Sequence, residues 1–504
     1  MSCTRAAAVV IAIVGAGFWL AACGGDGASP PAGSASTPTT PTTPAPEPPA
    51  SVPSPRVILG RPTDASIVAS VMGDAGTEAF LEFGPAPGSY AGSSQRATLA
   101  AGTPSAVAMT GLAANARYFY RVRYRSRTEA DFRAGAEGSF HTQRLSGSTF
   151  RFVVQADPHM DDNSSATVYT QMLANELADA PDLLFDLGDT SMSEKCAIDG
   201  SATCAAPSPA SAEKVWARNA LMRSYFAQAC HSVPLFMALG NHDGENGWQD
   251  AATAATIGTW SIAARKALFL NPEPDGFYTG SAQPSPQHGL LQNYYAFTWG
   301  DALFVVLDPF TYTAKKPVKG QEQDSWNWTL GSAQYQWLAS TLAASRARFK
   351  FVFTHHLVGG NGAEARGGSE FARFYEWGGR NLDGTWAFDR LRPGWGKPIH
   401  QLLVDNRVTA WFHGHDHLYA MEPLDGVIYQ EVPQPSLGRY DTADPGGAYG
   451  YKGAVGSTVF PSPGHVRATV SPTEVRVEYV RSVVSADETA TRKNGAVVHS
   501  YVVR

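Results

Sequence analysis

Between residues 56 and 142 hydrophobic and polar side chains alternate in short runs, each closed by Gly, Pro, Asn or Asp. Val57-Ile58-Leu59 and residues 66–71, 78–83 and 118–122 are such runs, and a period of two at this spacing predicts the strands of a β-sandwich. After Gly147 the rhythm becomes strand, loop, helix. Residues 150–156 are nearly all apolar and end in Asp157-Pro158-His159; Val168, Met172, Leu173 and Leu177 then keep helical spacing. A second buried strand at 183–187 ends in Gly188-Asp189, and a polar insertion leads to a helix around Val215, Met222 and Phe226. The third strand, 233–239, ends in Gly240-Asn241-His242-Asp243. A long insertion with Trp248 and Trp260 precedes strands at 294–298 and 302–307, joined through Trp299-Gly300-Asp301. A helix near Tyr335, Trp337 and Leu342 follows, then a strand at 349–353 that ends in Thr354-His355-His356. Beyond a Gly-rich loop and another helix, the β-prone run 409–412 opens into His413-Gly414-His415-Asp416-His417. Alternation at 466–470 and 474–479 adds further sheet, and no solenoid-type repeat is present.

The first 54 residues read differently. Arg5 precedes an apolar run over 6–20, too short to span a bilayer, and Leu20-Ala21-Ala22-Cys23 resembles the cleavage motif of bacterial lipoproteins. That resemblance implies removal of residues 1–22, a lipid on Cys23, export, and membrane contact through the anchor; an ordinary secretory signal also implies export. Residues 23–54 are Gly, Ser, Thr, Pro and Ala, a composition that cannot bury enough surface to offset ordering and favours an extended spacer. The chain of 504 residues thus divides into a leader at 1–22, a linker at 23–54, a sandwich at 55–144 and a larger α/β region at 147–504. A net charge of −6 without a basic tract argues against nucleic acid as partner. In an oxidising compartment a disulfide between Cys196 and Cys204 is the natural pairing, with Cys230 left over.

Within the sandwich, Gly111 to Tyr120 resembles the tyrosine corner of fibronectin type III domains, with Tyr118 as the corner residue and Ala114 and Ala116 in place of the usual Pro and Thr. This region carries no catalytic constellation and reads as a packing or spacer module. The chemistry lies beyond it. Five predicted strands end in potential metal ligands: Asp157 and His159; Asp189; Asn241; His355; His415 and His417. Open α/β sheets gather their sites beyond the carboxyl ends of strands, so groups far apart in sequence can converge. Core packing does not explain five such ends, because buried polar groups need partners.

In this order the motifs Asp-x-His, Gly-Asp, Gly-Asn-His-Asp, a His after a strand, and Gly-His-x-His resemble the calcineurin-like metallophosphoesterases over roughly residues 150–479. The resemblance implies a four-layer α/β (α+β) sandwich. The preceding all-β, fibronectin-like domain and Val352-Phe353-Thr354-His355 add a resemblance to purple acid phosphatases. Those enzymes place a Tyr three residues after the bridging Asp; here that position is Met192, so no purple ferric site is expected. Carried over by motif, Asp157, His159 and His417 hold one metal, Asn241, His355 and His415 the other, and Asp189 bridges them. The family implies hydrolysis of phosphate esters, with a small-molecule ester as substrate, by attack of a metal-bridging hydroxide on phosphorus. Mixed nitrogen and oxygen ligands leave Fe, Mn or Zn open.

His242 is placed to hydrogen-bond a phosphate oxygen or protonate the leaving group, with Asp243 fixing its tautomer, and a structural role is the alternative. His356 and Arg366 are candidate substrate contacts, the latter from a loop that lacks the Gly-Lys-Ser/Thr ending of a P-loop. His413 reads as a supporting or packing residue, Asp416 as a variable position, and Phe374-Tyr375-Glu376-Trp377 as core rather than cleft wall. The rival reading is a noncatalytic surface-binding lipoprotein with an inert phosphoesterase fold; such a relic is expected to have lost ligands.

Overall fold

The computed structural model describes residues 52–193, 210–249, 256–440, 446–451 and 458–504. The proposed leader with Cys23, most of the linker, and the Cys196–Cys204 pair lie outside them.

Two parallel-rich sheets face each other across an aromatic core. One contains Leu235–Met237, Leu183–Asp186 and Phe150–Gln155, mutually parallel, followed by antiparallel Gly464–Val470, Val475–Arg481 and Val497–Val503. The other sets Ala302–Val306, Phe349–Phe353, Ala410–His413 and Val427–Glu431 in parallel order, with Leu418–Leu424 antiparallel beside the last. Alternation decides which side chains meet. Phe152, Phe185, Phe304, Phe353 and Phe412 point between the sheets, and Phe185 stacks on Phe353 with centroids 4.4 Å apart. Their neighbours Val153 and Leu184 point outward against helices Ala166–Ala178 and Ala212–Phe226. Leu303, Val352 and Trp411 point outward against helices Ser332–Ala344 and Ile399–Asp405. The result is helix, sheet, sheet, helix. Both faces of each central strand are covered, which is why these strands read as continuous apolar runs.

All the parallel strands run towards one edge, and the ligand-bearing turns sit there. Several expectations change. The strand expected at 233–239 is only Leu235–Met237. The insertion after Trp248 contains the helix Ile257–Leu268, and the histidine burst runs directly into a hairpin over 418–431. Its turn, Asp425-Gly426, has positive φ at both residues, the signature of a tight hairpin turn. Tyr375 and Trp377 are wholly buried, as the packing reading requires.

The N-terminal strands form two antiparallel sheets, one of Arg56–Gly60, Ser66–Met72 and Ser105–Thr110, the other centred on Glu78–Gly84, Arg117–Arg125 and Arg133–His141. The Ala113 N–H donates to the Tyr118 hydroxyl at 2.9 Å, as a corner tyrosine requires. The sandwich is welded to the larger sheets: Leu59 N–H donates to Cys230 O, Tyr120 to His231 O at 2.6 Å, and the buried Arg223 to Ser70 O at 2.7 Å. Ile58 packs among Met222, Phe226 and Leu268.

Truncating the central aromatic pile leaves a cavity that the two sheets cannot close. Phe185→Ala is expected to destabilise the fold by about 3–5 kcal/mol, read from the midpoint of urea unfolding.

Candidate metal centre

The turns that follow five strands bring one side chain after another to a single buried point. Asp157 and His159 follow Phe150–Gln155, Asp189 follows Leu183–Asp186, and Asn241 follows Leu235–Met237. His355 follows Phe349–Phe353, and His415 and His417 follow Ala410–His413. Asp157, His159 and His417 form one group whose ligand atoms lie within 4.8 Å of one another; Asp189, His355 and His415 form a second. The groups adjoin. His355 Nε2 is 3.3 Å from Asp189 Oδ2, 3.1 Å from His415 Nδ1, 3.0 Å from Asn241 Oδ1 and 3.9 Å from Asp157 Oδ1. Asp189 Oδ2 is 3.6 Å from His159 Nε2, so this one carboxylate oxygen faces both groups.

Aiming these side chains inward strains the backbone. Asp157, His159, Asp189, His415 and His417 all have φ between +48° and +83°, a region that residues other than Gly enter at a cost of about 1–3 kcal/mol each. Close packing of glycines permits it. A Cβ on Gly414 would lie 2.4 Å from Asp157 Oδ2, and one on Gly240 would lie 2.0 Å from Asp189 N.

The far side of three of the four imidazoles is fixed by an acceptor. His355 Nδ1 donates to Leu187 O (3.0 Å) and His415 Nε2 to Glu364 O (2.6 Å), while His159 Nδ1 meets Asp161 Oδ2 at 3.2 Å. Each ring therefore turns its other nitrogen into the centre, the arrangement that orients metal-binding histidines. The carboxylates are held likewise: Asp157 Oδ2 accepts from His415 N and Asp189 Oδ1 from His242 N, both at 2.7 Å. Asp157 Oδ1 and His159 Nε2 are buried without a hydrogen-bond partner. Burial opposes ionisation of Asp157 and Asp189, but the imidazoles around them, His355 first, outweigh it and hold both carboxyls well below the usual range. Burial pushes His415 well below its ordinary value, helped by Arg366 and His355, so it remains a neutral donor of its lone pair. Against burial, the carboxylates beside them push His159 up and His355 up to about 9, so these two rings exchange a proton for a cation on binding. Two carboxylates, an amide oxygen and four imidazoles suit borderline or hard divalent cations.

The structure gives several of these residues partners that the sequence does not show. Asp243 Oδ1 accepts from Thr190 N, Ser191 N and the Ser191 hydroxyl, and its Oδ2 from Gly240 N, which makes Asp243 a brace between the Asp189 and Asn241 turns. Arg366 reaches the cavity wall with its charge already paired, its Nη1 donating to His415 O at 2.7 Å and to Asp416 Oδ1 at 2.9 Å. Asp416 is structural rather than variable in role: Gly367 N and the Tyr451 hydroxyl also donate to it. His242 lines the cavity beside Asn241. His356 packs between Phe310 and Trp328, and burial drives it down to about 3, so it joins the wall as a neutral ring. His413 stacks on Trp411 and meets Glu431 at 2.5 Å, a supporting position.

Sequence reasoning passed over Arg218. It is 1% exposed and ties His159 O to Ser191 O, bridging two ligand turns. The signal was present: Arg218 falls on the apolar stripe of Val215 and Met222, where a cation needs a buried partner.

The family model for calcineurin-like phosphoesterases matches residues 150–419, more than half of the chain. The chain belongs to that family and is a phosphoester hydrolase. Among solved structures, "Structure of PhoD" is similar at 15% identity and a TM-score of 0.63, covering 89% of each chain. The purple acid phosphatase PPD1 from yellow lupin (Lupinus luteus) seeds is similar at 16% identity and a TM-score of 0.56, covering 89% of this chain and 73% of that one. No curated protein matches the sequence.

Because Asp416 pins the turn that carries His415 and His417, Asp416→Asn is expected to lower metal affinity by about 10–100-fold, measured by chelator competition. Tyr451→Phe, which removes one of the hydrogen bonds to Asp416, is expected to lower it less.

Proposed function

We propose that this chain hydrolyses phosphate esters at a dinuclear centre in which Asp157, His159 and His417 hold one cation, Asn241, His355 and His415 hold the second, and Asp189 spans both. The observation that supports this most is the single oxygen Asp189 Oδ2, which lies 3.6 Å from His159 Nε2 and 3.3 Å from His355 Nε2. When bound, two cations of the Fe, Mn or Zn type would supply Lewis acidity towards the phosphoryl oxygens and a hydroxide nucleophile at neutral pH. The chain's own contribution is placement. With two carboxylates and otherwise neutral ligands, the first shell leaves a pair of divalent cations with net positive charge, which draws a phosphate dianion in. His242, on the cavity wall beside Asn241, places its imidazole to contact a phosphate oxygen or give a proton to the departing ester oxygen. Asp243, Arg218 and Asp416 keep the turns in register. All seven ligand positions are filled by competent side chains, which counts against the inert binding-protein reading.

The same reading extends to the leader: cleavage before Cys23, a lipid anchor on that cysteine, and a spacer over 23–54 that carries an exported enzyme. Its support is the sequence. Among the described residues no helix is long and apolar enough to cross a membrane.

Metal-loaded protein is expected to turn over a chromogenic aryl phosphate and to lose activity on chelation, with recovery on adding back Mn, Fe or Zn. Asp189→Ala should abolish turnover, and His242→Ala should lower kcat by roughly 100- to 10,000-fold while metal content, by elemental analysis, stays intact. Undiminished activity in Asp189→Ala would refute the dinuclear reading.

A further inference from the structure

The centre opens into a cavity of about 420 Å³, more room than a phosphoryl group needs, and its walls are of two kinds. One is aromatic and continuous. His356 lies against Trp328 (4.6 Å, edge to face), and Trp328 lies against Trp248 at the mouth (5.6 Å, edge to face). Trp248 is only half-buried, yet its backbone is well anchored: Gly247 N donates to Phe310 O at 3.0 Å, and Asn246 Nδ2 donates to the carbonyl of Asn241 at 2.9 Å. The indole is therefore placed relative to the metal-binding turn itself. The other wall is cationic. Lys319 is paired with Glu364 and Arg366 with Asp416, whereas Lys316 has no carboxylate partner among the described residues and rests over the Trp248 ring with its ammonium 5.8 Å from the centroid.

We propose that Trp248 and Lys316 form the leaving-group subsite, and that the preferred substrate is a phosphate ester whose leaving group carries a planar ring and a negative charge of its own. An exposed ammonium over an indole is held weakly and is readily exchanged. A planar ring can take its place on the indole face, and the displaced ammonium then meets the ring's anionic substituent. An aryl carboxylate and the second phosphate of a nucleotide offer this same chemistry. An alkyl ester offers neither part. The proposal rests on the phosphoesterase reading for the position of the phosphoryl group, and the test separates the two.

Binding is measured by calorimetry on the metal-loaded protein with methylphosphonate, phenylphosphonate and 4-carboxyphenylphosphonate, and turnover with the matching phosphates and a nucleoside bisphosphate. The wild type is expected to prefer phenyl over methyl, and carboxyphenyl over phenyl, in binding. Trp248→Ala should reduce the ring preference about five- to tenfold. Lys316→Met, which keeps the aliphatic stem, should erase only the preference for the charged substituent. Equal affinities across the three phosphonates, or variants that weaken all three alike, overturn the subsite. Retained preferences with no turnover of any ester would leave the subsite standing and refute the hydrolytic reading instead. A bisphosphate favoured over the aryl carboxylate, and made ordinary by Lys316→Met, identifies the second anion as phosphate.

Discussion

Lone pairs that must not find partners inside the protein govern this structure. Asp157, Asp189 and the imidazoles of His159, His355, His415 and His417 have to turn unshared electron pairs towards one another in a buried place, where a polar group without a partner is costly. The chain meets that constraint by giving the opposite side of nearly every ligand something to hold. Leu187 O, Glu364 O and Asp161 take the outer nitrogens of three histidines, and backbone N–H groups of His415 and His242 take one oxygen of each aspartate. Those outer hydrogen bonds leave the other lone pairs pointing inward.

The same constraint explains the left-handed residues. In an extended strand two residues with one between them share a face but stand about 6–7 Å apart, so both can reach one ion only if the backbone between them bends sharply. Asp157 with His159 and His415 with His417 do so through positive φ, and the tight contacts of Gly414 and Gly240 leave the space for it. The stability that tolerates this strain comes from the aromatic pile between the sheets, where Phe152, Phe185, Phe353 and Phe412 bury their rings directly beneath the strained turns. Core and site are thus two ends of the same strands.

How far this was legible from residues alone follows from the range of each interaction. Strand-end motifs are local, so the ligand set and the four-layer class could be read from 157, 189, 241, 355 and 415–417 together. The hairpin after His417 was missed because its strands follow the histidine burst with no polar break, although Asp425-Gly426 marks the turn. The bracing contacts of Asp243, Arg366 and Asp416 could not be read for a different reason. A carboxylate or guanidinium has the same spelling whether it faces a substrate or a backbone amide fifty residues away, and only the folded geometry of Thr190, Gly367 and Tyr451 decides. Arg218 was readable in principle, as a cation on an apolar helical stripe.

The position of the strand Gly464–Val470 bears on when the enzyme comes into being. It lies in the middle of its sheet, against Phe150–Gln155, so that Val154 pairs with Val466 across 312 intervening steps of chain. A ribosome that has released residues 1–463 has produced every ligand but not the strand that flanks the first of them, and closure of so long a loop is slow. The strand leading to Asp157 and His159 has its full set of neighbours only once residues 464–470 have been made. Assembly of the centre thereby waits on a segment well downstream of His417, and a chain interrupted between the two would carry every candidate ligand without the strand that frames the first.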